Sequence, residues 1–253
     1  MASAPRLFIA PDWPAPARVR ALCTVRGGGV SRAPYKSLNF GQRVGDEPAA
    51  LAENLVRLTR AAGLPAAPQW LTQVHGSRVA DLDIEGPREA DACLTRTPGR
   101  ICAIQTADCL PVLFTATDGS LVGAVHAGWR GLAAGVLQAT LAALADAALP
   151  GTQFLAWLGP AISPAHFEVG EEVRTAFLGT DPDAEIAFVE NPRGRWQCDL
   201  YTLARRALAR AGIADIYGGE HCSFAETGRF YSYRRDGQTG RMASLIWIEP
   251  AAP

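Results

Sequence analysis

The sequence predicts an α/β protein, a single domain of layered, mixed β-sheets flanked by helices. Three observations carry that prediction. Apolar strand-like runs are interspersed with amphipathic helical segments along all 253 residues. Turn sequences join neighbouring strands at "TDGS" (117–120) and "NPRG" (191–194), so the sheets are antiparallel in part and a pure βαβ array is excluded. No repeat, low-complexity tract or linker divides the chain, so 1–253 reads as one domain.

Val19–Val25 reads as a strand, followed by a loop rich in glycine and basic residues. "DEPAALAENLVRLTRAAGLP" reads as a helix. Asp46 is its expected cap, Pro48 lies in its first turn, Gly63 stops it, and Leu51, Leu55 and Leu58 share a face. "QWLTQVHG" is expected to be a short strand ending at His75, and "ADACLTRTPG" a strand with a turn. Apolar strands follow at Ile101–Gln105, Val112–Ala116 and Leu121–Val125, the last two forming the "TDGS" hairpin. The alanine-rich stretch Gly131–Leu149 reads as a packed helix. "QFLAWLGPAI" is a buried strand, "VGEEVRTAFL" a short helix, and "EIAFVENPRGRWQCDL" a hairpin. Asp199 caps a helix that Gly212 stops, and "IADIYGG" and "RMASLIWIE" supply the closing strands.

Composition narrows the function. The chain is 48% hydrophobic and 19% charged, with a net charge of −1. That excludes a nucleic-acid stripe or membrane-surface patch and suits a small, weakly charged substrate. No window approaches the length of a membrane span. The prolines of "MASAPRLFIAPDWPAPARVR" interrupt its one apolar run, so no export signal is expected. The six cysteines lack close pairing, and reduced thiols in the cytoplasm are expected.

Chemistry gathers at strand ends beside glycines. His75 in "QVHG" and His126 in "AVHAG" end predicted strands, and Cys109 lies in "TADCLP". One cysteine and two histidines make a three-ligand zinc set with an open fourth position, the arrangement of catalytic zinc. The same trio also suits a thiolate–imidazole pair oriented by a second histidine. Spacings of tens of residues carry no metal signature, and strand-end histidines are more often structural.

Asp108 is a possible acid, base or support for Cys109, or simply a turn residue. Arg130, before a helix, suits an anion site or open solvent. "RGGG" (26–29) could wrap phosphate but lacks the lysine and serine of a Walker loop, so a plain turn competes. Trp129 suits ring stacking or the core. "YSYRRDGQTGR" (231–241) suits recognition of a flat polar ligand, or a hairpin loop turning at Asp236–Gly237. His166, His221 and the other cysteines read as structural.

Taken in order, "GGVS", "SLNFG", "QVHG", "ADACLT", "TADCLPVLF", "AVHAGWRGL", "GPAISPAHFEVG" and "FYSYRRDGQTGR" resemble the YfiH family, also called the laccase-domain or polyphenol-oxidase family. The family's usual "GPAIGP" carries Ser163 here. The resemblance implies a layered α/β fold similar to that of a group of cysteine hydrolases. It implies a zinc site from His75, Cys109 and His126, with copper as the alternative metal.

For activity the resemblance implies phosphorolysis of adenosine, inosine and methylthioadenosine, with adenosine deamination alongside. Arg130 and Arg26 are then expected to hold phosphate, and Asp108 or a histidine to protonate the leaving purine. The implied partners are a nucleoside and phosphate, bound by a monomer. Two other activities are attached to the family: editing of a serine-containing cell-wall precursor, and copper-dependent phenol oxidation. A multicopper oxidase needs roughly ten histidines, and the chain has four. A non-enzymatic zinc-dependent interaction protein would need a closed four-ligand site.

Overall fold

The computed structural model describes residues 7–251; residues 1–6 and 252–253, the ends of the expected 1–253 domain and the start of the segment read as lacking an export signal, lie outside it. Two mixed sheets form its centre. The first runs β1 (Phe8–Ile9), β2 (Val19–Thr24), β14 (Met242–Ile248), β6 (Ile101–Thr106), β3 (Gln69–Trp70). The second runs β13 (Ile216–Gly218), β9 (Phe154–Leu158), β7 (Leu110–Ala116), β8 (Val122–Ala127), β5 (Ala92–Thr95), β4 (Val79–Asp81). A small sheet of β10 (Glu168–Val169), β12 (Trp196–Cys198) and β11 (Phe188–Glu190) contains the expected "NPRG" hairpin.

Alternation along the strands stacks these sheets. In β6, Cys102 and Ile104 enter one core while Ile101 and Ala103 enter another. In β7, Leu113 joins Cys102 between the sheets, whereas Val112 and Phe114 face the opposite way. The first sheet's outer face packs on Leu58 of helix α1 (Pro48–Ala62). The second sheet's outer face packs on helices that include α2 (Trp129–Ala133), α3 (Val136–Ala147), α4 (Glu171–Leu178) and α5 (Leu200–Arg210). The order is therefore helix, sheet, sheet, helices. Both faces of the central strands are covered, which is why they read as continuous apolar runs rather than alternating ones. Among the described residues, no helix is long and apolar enough to cross a membrane.

Several local expectations are corrected. Glu47, not Asp46, holds the cap position of α1; the Asp46 carboxylate accepts from the Glu47 amide and from Asn39. The expected 131–149 helix is two helices, because Gly135 adopts φ +81°, a left-handed conformation that breaks the α run. "YSYRRDG" forms no hairpin: Tyr233–Asp236 is a single helical turn, α6, whose cap Ser232 accepts from the Arg235 amide. By contrast, Asp199 caps α5 as expected, accepting from the Tyr201 and Thr202 amides.

Candidate metal centre

Strand register creates the site. In the β7–β8 hairpin Leu110 faces Ala127 and Pro111 faces His126. Continuing that register by one residue sets Cys109 opposite Gly128. The "TDGS" turn closes one end of this hairpin, and Cys109 and His126 meet at the other. His126 lies inside β8, one residue before its end.

His75 arrives from a different direction. The strand expected to end at His75 stops at Trp70, and His75 sits in a turn with φ +61°. Asp108 has φ +85°, and these two are the only non-glycine described residues with positive φ. Both flank the same site, and unfavourable backbone conformations of this kind are retained where surrounding contacts over-determine them.

Asp91 supplies those contacts for His75. Its fully buried carboxylate accepts from the amides of Val74 (3.2 Å), His75 (2.9 Å) and Gly76 (2.6 Å). It also bonds His126 Nδ1 at 2.8 Å, and its carbonyl accepts the His126 amide. In the sequence Asp91 stands inside "ADACLT", with no local signal of this role. An ionised carboxylate only accepts, so His126 Nδ1 carries a proton and Nε2 is the atom that ligates a metal, once its own proton is displaced. Burial raises the Asp91 carboxyl, but His126 and the turn amides outweigh it and hold the carboxyl below its usual range.

The ligand atoms of His75, Cys109 and His126 all lie within 4.8 Å of one another, with Cys109 Sγ 3.9 Å from His75 Nε2. Tetrahedral zinc ligation asks for ligand–ligand separations of about 3.5 Å, a contraction of about 0.4 Å for the Cys109–His75 pair and of at most about 1.3 Å for the others. The space is kept open by Gly128, where a Cβ would stand 2.9 Å from Cys109 Sγ and 3.1 Å from a His75 ring carbon. Donor chemistry agrees: burial pushes the Cys109 thiol up, but the imidazoles of His126 and His75 bring it down to about 6. Burial opposes the charge on His126, while the Cys109 thiolate and Asp91 bring its pKa up to about 9. A thiolate, two imidazoles and a carboxylate behind one of them therefore fit a divalent metal. Among the described residues the group contains no fourth His, Cys, Asp or Glu.

The trio opens into a cavity of about 630 Å³, lined in part by Trp70, Trp129, Arg130, Tyr233, Arg234 and Arg241. That volume is in the range of small-molecule sites. Arg130 is exposed at the cavity wall, its guanidinium 4.5 Å from the Trp129 ring, and Trp129 also packs against the helical core.

Asp108 lines the cavity too, but its carboxylate is committed. Oδ1 accepts from Ser223 Oγ at 2.7 Å and Oδ2 from the Arg234 amide at 2.6 Å. These bonds tie the Cys109 turn to distant segments rather than to its own backbone. They favour positioning over the proton-donor role expected from the sequence.

Arg26 is not brought to the cavity. Its guanidinium bonds the carbonyls of Thr227 and Lys36 and pairs with Asp236. The "RGGG" loop is likewise packed, with the amides of Gly29 and Val30 taken by Ser37 and Asn54. His166 stacks on Phe224, His221 bonds Glu226, and Ser163 bonds the Cys222 sulfur.

Comparison with known proteins agrees with this architecture. The family described as multi-copper polyphenol oxidoreductase laccase matches residues 20–249. A Pseudomonas aeruginosa protein named as a purine nucleoside phosphorylase is 52% identical over 244 residues, covering 96% of this chain and 98% of its own. Purine nucleoside phosphorylase YfiH of Escherichia coli is 50% identical, covering 95% and 98%. Among solved structures, a Neisseria meningitidis protein superposes with a TM-score of 0.89 at 48% identity, covering 96% of this chain and 100% of its own. YlmD of Geobacillus stearothermophilus gives 0.88 at 30% identity, covering 97% and 100%. With a family match spanning most of its length, and relatives at half identity over nearly all of it, the chain belongs to the laccase-domain family that includes YfiH.

Proposed function

We propose that the protein is a zinc-dependent purine nucleoside phosphorylase, acting as a cytoplasmic monomer. It would cleave adenosine, inosine and methylthioadenosine with phosphate, and deaminate adenosine as a side reaction. The observation that carries this reading is a three-ligand centre opening on an aromatic, arginine-lined cavity, in a chain whose relatives are named for that activity. Three ligands leave a coordination position for substrate or water, whereas a structural zinc site uses four.

In this reading His75, Cys109 and His126 hold the metal, and Asp91 orients both histidines. Bound zinc supplies Lewis acidity and lowers the pKa of water. Asp108 fixes the Cys109 turn by its bonds to Ser223 and Arg234. The aromatic wall at Trp70 suits a flat base, and the arginines suit the phosphate that attacks the sugar. Base release from adenosine by metal-defined protein, dependent on added phosphate, is the test; no base release sinks the reading. Inosine formation without phosphate tests the deaminase activity.

Copper can replace zinc on the same donors, but a multicopper cluster lacks ligands. Two of the four histidines, His166 and His221, are committed elsewhere. Hydrolytic editing of a serine-containing cell-wall precursor is the second reading. It is favoured by the Cys109 thiol, which the two imidazoles lower to about 6 and so prime as a nucleophile.

A further inference from the structure

Among the described residues there are six arginine–aromatic contacts, and they divide into two groups. Arg26 on Tyr231, Arg174 on Trp196 and Arg229 on Phe230 lie outside the cavity. Each of these arginines also pairs with a carboxylate, respectively Asp236, Glu171 with Glu185, and Glu226. The other three are Arg130 on Trp129 (4.5 Å), Arg234 on Phe167 (5.1 Å) and Arg241 on Tyr233 (5.7 Å). All six residues of these three contacts line the cavity. Among the described residues, none of Arg130, Arg234 and Arg241 forms an ion pair.

The division has a physical meaning. A carboxylate partner cancels a guanidinium's charge, while an aromatic face holds the guanidinium in place and leaves its charge and N–H fork available. Backbone carbonyls do the same: Arg241 Nη1 bonds the carbonyls of Thr239 and Gly240, and Arg234 Nη1 bonds that of Glu168. Among the described residues the sole carboxylate lining the cavity, that of Asp108, already accepts two hydrogen bonds. A fourth arginine, Arg43, lines the same cavity and bonds Thr72 Oγ1. A chain with a net charge of −1 has thus gathered four guanidiniums without ion pairs around one cavity.

We infer that the three aromatic-backed arginines, Arg130, Arg234 and Arg241, form an oxyanion site that takes inorganic phosphate. Arg241, half-buried and fixed by two carbonyls, is its anchor, and Arg130 is its exposed arm. The inference deepens the phosphorylase reading and rests on it for the identity of the anion. It also moves the phosphate away from Arg26, whose guanidinium lies outside the cavity, bonded to the Thr227 and Lys36 carbonyls and 3.8 Å from Asp236.

The test is a titration of zinc-loaded protein with inorganic phosphate, followed by phosphorus NMR line width. Alongside it, the KM for phosphate is measured at saturating adenosine. Arg241→Gln and Arg130→Gln are each expected to weaken phosphate binding about tenfold, the worth of one charge-assisted hydrogen bond. Their KM for adenosine stays within about twofold on the same grounds. Arg195→Gln, on the exposed hairpin outside the cavity, leaves phosphate binding unchanged. Among the described residues the Arg130 side chain makes no hydrogen bond or ion pair, only its contact with Trp129, so its variant carries the test if Arg241→Gln fails to fold.

Phosphorolysis with unchanged phosphate affinity in the variants overturns the site and leaves the phosphorylase reading standing. Phosphate binding that the variants weaken, without any sugar phosphate formed, upholds the site and removes the reading. Absence of phosphate binding to the unmodified protein overturns the site.

Discussion

Asp91 Oδ1 lies 2.8 Å from His126 Nδ1, and the same oxygen accepts the His75 amide at 2.9 Å. One buried atom therefore orients two histidines that reach the site from different parts of the chain. Asparagine at this position keeps one acceptor but turns an NH2 group toward donors. Asp91→Asn is expected to weaken zinc binding by about 10- to 100-fold, the usual cost of losing a carboxylate behind a ligating histidine. Competition with a chromophoric chelator measures it. An unchanged affinity would show that the histidines hold their positions without Asp91.

Gly128→Ala tests the space beside the ligands. Gly128 has φ −68° and ψ 160°, which any residue adopts, so the effect is steric. The added methyl would stand 2.9 Å from Cys109 Sγ. We expect zinc affinity to fall at least about tenfold, with a stability cost of about 1–3 kcal/mol typical of overpacking. Chelator competition and thermal unfolding separate the two effects. Normal zinc binding by the alanine variant would mean that the trio closes elsewhere.

Cysteine labelling reports the electrostatics of the metal-free trio. The Cys109 thiol, raised by burial but lowered more by His126 and His75, ionises at about 6, so its thiolate fraction climbs through that pH and is nearly complete by neutrality. Burial pushes Cys23 up to about 12 and Cys198 well above the usual thiol value. At neutral pH, iodoacetamide is expected to label Cys109 ahead of both, and zinc to protect it. Peptide mass spectrometry reads the order. Uniform labelling, or no protection by zinc, contradicts the arrangement.

Acid stability has a separate source at the edge of the second sheet. Asp83 accepts from the hydroxyls of Thr95 and Thr97 and the Arg96 amide, and pairs with Arg96 and Arg100. Burial raises its carboxyl, but these bonds outweigh burial and hold it below the usual range. The stabilisation is present above the ordinary carboxyl pKa of about 3.9 and is lost as pH falls through the lower folded value. Asp83→Asn is expected to cost about 1–3 kcal/mol at neutral pH, with the difference from the unmodified protein shrinking in acid. Urea unfolding across pH checks this, and a constant difference would assign the loss to packing.

The layered fold was legible because strands covered on both faces show as plain apolar runs, and because "TDGS" and "NPRG" announce their hairpins. His126 and Cys109 were legible as residues at the ends of such strands. Asp91 was not, since a single aspartate before "ACLT" shows its purpose only once β5 lies beside β8 and the His75 turn folds over it. Arg26 misled because a basic residue beside three glycines looks like an anion loop, and only tertiary contacts reveal that Asp236, Thr227 and Lys36 occupy it. Arg241 and Tyr233 sat in a segment suited to a flat polar ligand, but the Asp236–Gly237 signal suggested a hairpin where a helical turn forms.

The central claim is phosphorolysis at the His75–Cys109–His126 centre. Its most direct measurement follows oxygen-18-labelled phosphate through adenosine cleavage by zinc-loaded protein, with Cys109→Ala run in parallel. We predict that the label appears in the sugar phosphate beside free adenine, and that both products vanish in the variant. Unlabelled ribose as the sugar product, or undiminished turnover by Cys109→Ala, would contradict the account.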